Sequence, residues 1–245
     1  LVASECLRPI FFISDQRLIA SMCSRRFGIG ADGLILLRLL DGYDFEMVYF
    51  NADGAQSSMC GNGGRCLVHF AYKLGLFEKS CKFLAIDGDH EALVNADETV
   101  KLKMSDVGEL TQVGEDYVLD TGSPHYIKVV DEALQEDIYA LGQQIRYSET
   151  FAEEGINVNF ISKDDKGLVV CTYERGVEDE TLSCGTGVTA SAIVTHQVNP
   201  DEYPSPIAIV TKGGDLRVYF QRTSDGQYTD IWLEGPAVSV YTGQW

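Results

Sequence analysis

The sequence is short of positive charge: 19 Lys and Arg stand against 37 Asp and Glu in 245 residues, a formal net charge of −18. A surface of that sign repels phosphates, so neither nucleic acid nor an anionic membrane is expected as a partner. No apolar run reaches the roughly 18 residues that span a bilayer, and residues 1–10 lack the charged, apolar and small segments of a secretory signal. A cytoplasmic location is expected. Cys-x-x-Cys is absent, and the seven cysteines are odd in number and scattered, which suits free thiols in a reducing compartment. There are only four histidines, none in His-x-x-x-His spacing, so no metal site is expected. No low-complexity tract or Pro/Gly/Ser linker marks a domain boundary.

What is present is a repeat. With 45% hydrophobic residues the chain can bury one large core or two smaller ones. Residues 44–63 run through an apolar strand (Phe45 to Phe50), a polar turn and Cys60-Gly61-Asn62-Gly63. Residues 167–187 do the same through Leu168 to Tyr173 and Cys184-Gly185-Thr186-Gly187. The strands are read from β-branched and aromatic runs closed by turn residues. After each Cys-Gly-x-Gly the period becomes helical, with Leu67, Val68, Ala71 and Leu74 on one face in the first copy and Val188, Ala192 and Ile193 in the second. A hairpin follows each helix, through Lys82 to Leu93 and through Ile207 to Phe220. Two pseudo-symmetric α+β domains are therefore predicted, 1–112 and 113–245, each a mixed curled sheet around a central helix. The active site is expected in the cleft between them, and a last strand at about 236–245 is expected to cross back to the first domain.

A cysteine opening a helix lies among unpaired backbone N–H groups at the positive end of the helix dipole, which favours thiolate. The same N–H groups suit a carboxylate and the enediolate left when its α-proton departs, and neighbouring glycines admit a ligand to the backbone. Two such elements match the inversion of a stereocentre, which needs a base on one face and an acid on the other. Cys60 and Cys184 are the candidates. Cys66, Cys81 and Cys171, inside apolar patterns, and Cys23, on a helix near residues 16–26, read as buried small hydrophobes. Gly61-Asn62-Gly63-Gly64 lacks the parts of a phosphate loop, and Phe27 to Leu34 follows a helix and enters a strand, the reverse of a dinucleotide loop.

At these positions the chain resembles the diaminopimelate epimerase family, from about residue 14 onward. The matching blocks are Arg26 to Gly33, Asn51 to Gly54, Met59 to Cys66, Gly122 to His125, Asn157 to Phe160, Tyr173 to Gly176 and Glu180 to Gly187. The resemblance implies interconversion of LL- and meso-2,6-diaminoheptanedioate, a small-molecule amino-acid substrate, without cofactor or metal. It implies that Cys60 and Cys184 are the acid/base pair, with His125 and Glu174 supporting proton transfer. Asn51, Asn157, Glu174 and Arg175 would hold the distal end of the substrate, with Ser123 beside them, and the backbone of Gly61-Asn62 and Gly185-Thr186 would grip the reacting carboxylate. An Arg fork suits a carboxylate; Glu and amides suit an ammonium. A homodimer is left open.

Several features depart from the family. Its N-terminal Gly-Asn-Asp-Phe segment has no match in residues 1–13, and the strand after His125 lacks an evident counterpart at the start of the chain. Because the chain opens on Leu, missing or altered N-terminal sequence is expected. Ser123 replaces a common Asn, Gly33 an occasional Gln, and the stretch from Glu174 to Cys184 is one residue longer, with Glu178-Asp179 in the turn. Alternatives are a proline or hydroxyproline racemase, which has His where this chain has Asn62, a catalytically impaired or non-catalytic homologue, and a thiol redox protein.

Overall fold

The computed structural model describes residues 2–5, 15–57, 60–108 and 110–243. The expectations for Cys6, for the segment 6–14 and for residues 244–245 lie outside the described residues. The chain forms two compact units. The first runs to Leu102 and takes in the segment from Pro236; the second spans Lys103–Gly235. The units part before residues 112–113 because the chain after Leu102 already pairs within the second unit: Met104 N donates to Ile231 O at 2.9 Å and Val107 N to Tyr228 O at 2.8 Å.

In the first unit, strands β1 (Val2–Glu5), β2 (Gly33–Arg38), β3 (Phe45–Asn51), β4 (Gln56–Ser57), β5 (Ser80–Ala85), β6 (Gly88–Val94) and β7 (Val100–Lys103) accompany helices α1 (Gln16–Cys23) and α2 (Gly61–Lys73). In the second, β8 (Thr111–Val113), β9 (Asp116–Asp120), β10 (Pro124–Val129), β11 (Asn157–Asp164), β12 (Gly167–Glu174), β13 (Asp179–Thr181), β14 (Ile207–Thr211), β15 (Gly214–Arg222) and β16 (Tyr228–Gly235) accompany α3 (Ile138–Arg146) and α4 (Gly185–Val198). Among the described residues, no helix is long and apolar enough to cross a membrane.

The repeat extends to the strand pairings. In the first unit β1 runs parallel to β2, β2 antiparallel to β3, β3 parallel to β5, and β5 and β6 antiparallel to their successors, with β4 paired beside β3. In the second, β10, β11, β12, β14, β15 and β16 repeat that order of directions, and β13 pairs beside β12. This corrects one expectation: the strand after His125 does have a counterpart at the start of the chain. It is β1, whose pairing with Leu34 to Leu37 is set by the partner strand and not by any alternation of its own four residues. A second correction concerns the chain end, where residues 236–243 form no strand. Pro236 lacks a backbone donor, and Val238, Val240 and Tyr241 are exposed, so no packed face rewards extension into a ladder.

Each unit carries a central helix. In α2 the apolar face of Leu67, Val68 and Ala71 is fully buried against the sheet, where Phe45 and Phe83 stack at 5.0 Å between centroids. Helix α4 is buried on all sides from Val188 to Thr195, with strands β9 to β12 and β14 to β16 packed around it. Its polar side chains survive burial by bonding back one turn: Thr189, Ser191 and Thr195 hydroxyls donate to the carbonyls of Gly185, Gly187 and Ser191 at 2.8–3.0 Å. Helix α3, which the sequence reading did not anticipate, covers the outer face of β11 and β12. There Gly142 lies so close to Tyr173 that a Cβ would approach its side chain to 2.4 Å.

Candidate active site

Both repeated helices begin the same way. Cys60 and Cys184 are the residues preceding α2 and α4, with extended backbones at φ −102°, ψ 131° and φ −112°, ψ 116°. The first bonds inside the helices are Gly64 N to Cys60 O at 2.7 Å and Val188 N to Cys184 O at 2.9 Å. The amides of residues 61–63 and 185–187 therefore precede the helical ladder and point off its positive end, where an anion is favoured.

In the first unit, Cys60, Gly61 and Asn62 are half-buried on one helix start. Beneath them lies Arg65, a buried guanidinium whose Nη2 donates to Asn62 Oδ1 at 2.8 Å and whose Nη1 donates to Gly61 O at 3.4 Å. Burial pulls its pKa below the ordinary arginine value, and the neighbouring thiols Cys66 and Cys60 act in the opposite direction. Asn51 closes β3 and is exposed; its backbone forms the turn, with N donating to Ala55 O and O accepting from Gly54 N, both at 2.9 Å. Opposite Asn51 in the ladder is Gly33, where a Cβ would fall 2.5 Å from Phe50 O and 2.7 Å from the Tyr49 ring. The packing here admits no side chain at position 33.

In the second unit the expected residues form two hydrogen-bonded groups. The first surrounds Cys184, which is 8% exposed. Its Sγ lies 3.4 Å from Thr186 Oγ1, which lies 2.9 Å from Nε2 of His125, a fully buried side chain. Burial, aided by the charge of Arg175, pushes the His125 pKa down to about 3, so the ring is neutral at ordinary pH. Behind it stands Asn159, with Nδ2 at 2.9 Å from His125 Nδ1, and Thr172 donates to Asn159 Oδ1 at 2.8 Å. Thr121 Oγ1 donates to Thr186 O at 2.9 Å. Asn159, Thr172 and Thr121 were not singled out as site residues. The signal for Asn159 was available, as a polar residue two positions from Asn157 in an otherwise apolar strand.

The second group surrounds Asn157. Its Oδ1 accepts from Arg175 N at 2.9 Å, and its Nδ2 donates to Ser123 Oγ at 2.8 Å and Pro124 O at 3.0 Å. This buried amide thus ties together the loop before β10, β11 and the end of β12. Arg175 is exposed, and its Nη1 donates to Glu154 O at 3.0 Å. Glu174 precedes it on β12, partly buried, and burial raises its carboxyl pKa. The lengthened turn that follows is built in. Glu178, at φ 57°, accepts from Gly176 N at 3.0 Å through Oε1, and from the hydroxyls of Tyr147 and Tyr173 at 3.0 and 3.2 Å through Oε2.

Of the remaining cysteines, burial pushes Cys81 up to about 12 and Cys171 up to about 11, and raises Cys23 and Cys66 as well, the pattern of inert thiols. The molecule is thus a duplicated α+β protein in which each half starts its central helix on a cysteine. The comparisons narrow that class. The diaminopimelate epimerase family profile matches residues 8–110 and 117–240. The chain is 46% identical to the diaminopimelate epimerase of Flavobacterium psychrophilum, over 95% of this chain and 90% of that one. It is 42% identical to that of Chlorobaculum tepidum, over 96% and 93%. A solved phenazine biosynthesis protein of the PhzF family from Bacillus anthracis superposes with a TM-score of 0.70 at 14% identity, over 90% of this chain and 84% of that one, a likeness of fold. The chain belongs to the diaminopimelate epimerase family.

Proposed function

We propose that this protein interconverts LL- and meso-2,6-diaminoheptanedioate in the cytoplasm by a two-base exchange of the α-proton. The observation that carries the mechanism is the duplicated helix start, Cys60 before α2 and Cys184 before α4, each followed by amides that precede the helical ladder. One cysteine, as thiolate, removes the α-proton. The other, as thiol, returns a proton to the opposite face, and the roles exchange with the direction of reaction. The helix-start amides receive the α-carboxylate and take up the charge that moves onto it as the proton leaves. Support for a substrate with a second amino-acid end comes from Arg175 and Glu174, side by side at the end of β12, with Asn157 fixing the Arg175 backbone.

The test is epimerisation in deuterated water. Solvent deuterium is expected preferentially in the newly formed diastereomer during the first turnovers. Cys60→Ala and Cys184→Ala should each lower turnover by about 10²-fold or more while remaining folded. Near-normal epimerisation by either folded variant would sink the two-base reading, and faster racemisation of proline than of diaminopimelate would sink the substrate.

A further inference from the structure

Hydrogens are not located by heavy-atom positions, yet around Cys184 the partners fix where they must be. The backbone carbonyl of Tyr126 can only accept, and it lies 3.2 Å from Nδ2 of Asn159, so that end of the amide is the NH2. The other end, Oδ1, accepts from the Thr172 hydroxyl. One hydrogen of Nδ2 serves the Tyr126 carbonyl, and the other points at Nδ1 of His125, 2.9 Å away. Nδ1 is therefore an acceptor. In a neutral imidazole the proton must then sit on Nε2. From there it donates to Oγ1 of Thr186 at 2.9 Å. That engages one lone pair of the hydroxyl and leaves its hydrogen available to Sγ of Cys184 at 3.4 Å, the one direction open when the sulfur is a thiolate.

We infer that Asn159 and Thr172 are positioning residues that hold His125 as its Nε2–H tautomer, so that the Thr186 hydroxyl donates to the Cys184 sulfur. His125 is thereby a fixed donor and not a proton carrier, since neither ring nitrogen presents a free lone pair. A directed hydroxyl donor stabilises the thiolate over the thiol, because it strengthens as charge forms on sulfur. The consequence for turnover rests on the two-thiol reading above; the tautomer and the direction of donation do not.

The first measurement is the long-range ¹H–¹⁵N spectrum of the histidine-labelled protein, with the His125 signals assigned by their loss in His125→Gln. His125 should be protonated on Nε2 alone and should not titrate between about pH 5 and pH 8. A proton on Nδ1, or titration in that range, overturns the inference without reference to epimerase activity. The second measurement is the rate of alkylation of Cys184 near neutral pH, read on its own peptide by mass spectrometry. Thr186→Val should slow it about tenfold, as loss of a hydrogen bond to a charged group does, and Thr186→Ser should restore it. Asn159→Asp puts an acceptor where the NH2 stood. It should draw the imidazole proton to Nδ1, leave Nε2 to accept from Thr186 and slow Cys184 alkylation as Thr186→Val does. Unchanged Cys184 alkylation in a folded Thr186→Val protein overturns the hydroxyl's role. Inactive protein with an Nε2–H His125 and a slowed Thr186→Val would instead count against the epimerase reading alone.

Discussion

A Cβ placed on Gly187 would lie 2.3 Å from Oδ1 of Asn159. The last glycine of the second Cys-Gly-x-Gly is thus where the helix passes the amide behind His125, and its missing side chain is what allows that approach. The matching glycine of the first repeat, Gly63, would meet nothing nearer than the ends of flexible side chains, Ile35 Cδ1 at 3.1 Å and Met47 Cε at 3.4 Å. Gly187→Ala is expected to cost about 1–3 kcal/mol of stability through overpacking, and more than Gly63→Ala. Denaturant midpoints of the two variants check this, and an equal or smaller loss for Gly187→Ala would count against the close approach.

The buried imidazole of His125 makes stability depend on acid. Its folded pKa is about 3 and the unfolded value about 6.5, so between those limits the unfolded chain binds a proton that the folded chain does not. The contribution is complete above the unfolded pKa and declines as the pH falls, by up to about 1.4 kcal/mol per pH unit. Chemical denaturation from about pH 7 to about pH 5 should cost the parent protein about 2 kcal/mol more than His125→Gln, after subtraction of the acid sensitivity common to both. Equal losses would mean that His125 is protonated in the folded state.

Asn157 has both ends of its amide committed within the protein, to Arg175 N, Ser123 Oγ and Pro124 O. Its replacement should therefore act on structure as well as on substrate. Asn157→Ala is expected to lower stability by about 1–3 kcal/mol and to raise KM together, because the end of β12 that carries Glu174 and Arg175 loses its anchor. A raised KM with unchanged thermal stability would instead return Asn157 to the role of a plain substrate contact.

Much of this organisation was legible in the sequence because the repeat is local: strand, turn and helix start fall within about twenty residues of each cysteine. What escaped was set by partners distant in the chain. β1 takes its place from its pairing with β2, which four residues by themselves cannot announce. α3 was hidden by its brevity and by Gly142, which reads as a helix breaker until Tyr173 is seen against it. The resemblance assigned His125 a part in proton transfer, but its tautomer depends on Asn159 and Thr172, 34 and 47 positions further on (159 − 125 and 172 − 125), brought alongside by the register of β10, β11 and β12. Spacing within one segment cannot reveal such an arrangement.

The two helix starts share a backbone and differ in chemistry. The third residue of the motif is Asn62 in one, bound by the buried cation of Arg65, and Thr186 in the other, bound by a neutral imidazole. On the two-thiol reading, a substrate of one handedness gives its proton to the sulfur with a guanidinium below it, and its diastereomer gives it to the sulfur with a hydroxyl beside it. The Haldane relation ties the ratio of kcat/KM in the two directions to an equilibrium constant that belongs to the substrates alone. Wherever the ratio of turnovers departs from that constant, the KM values must differ to match it, so the broken symmetry of Asn62 and Thr186 bears on which diastereomer saturates the enzyme first, and never on where the reaction comes to rest.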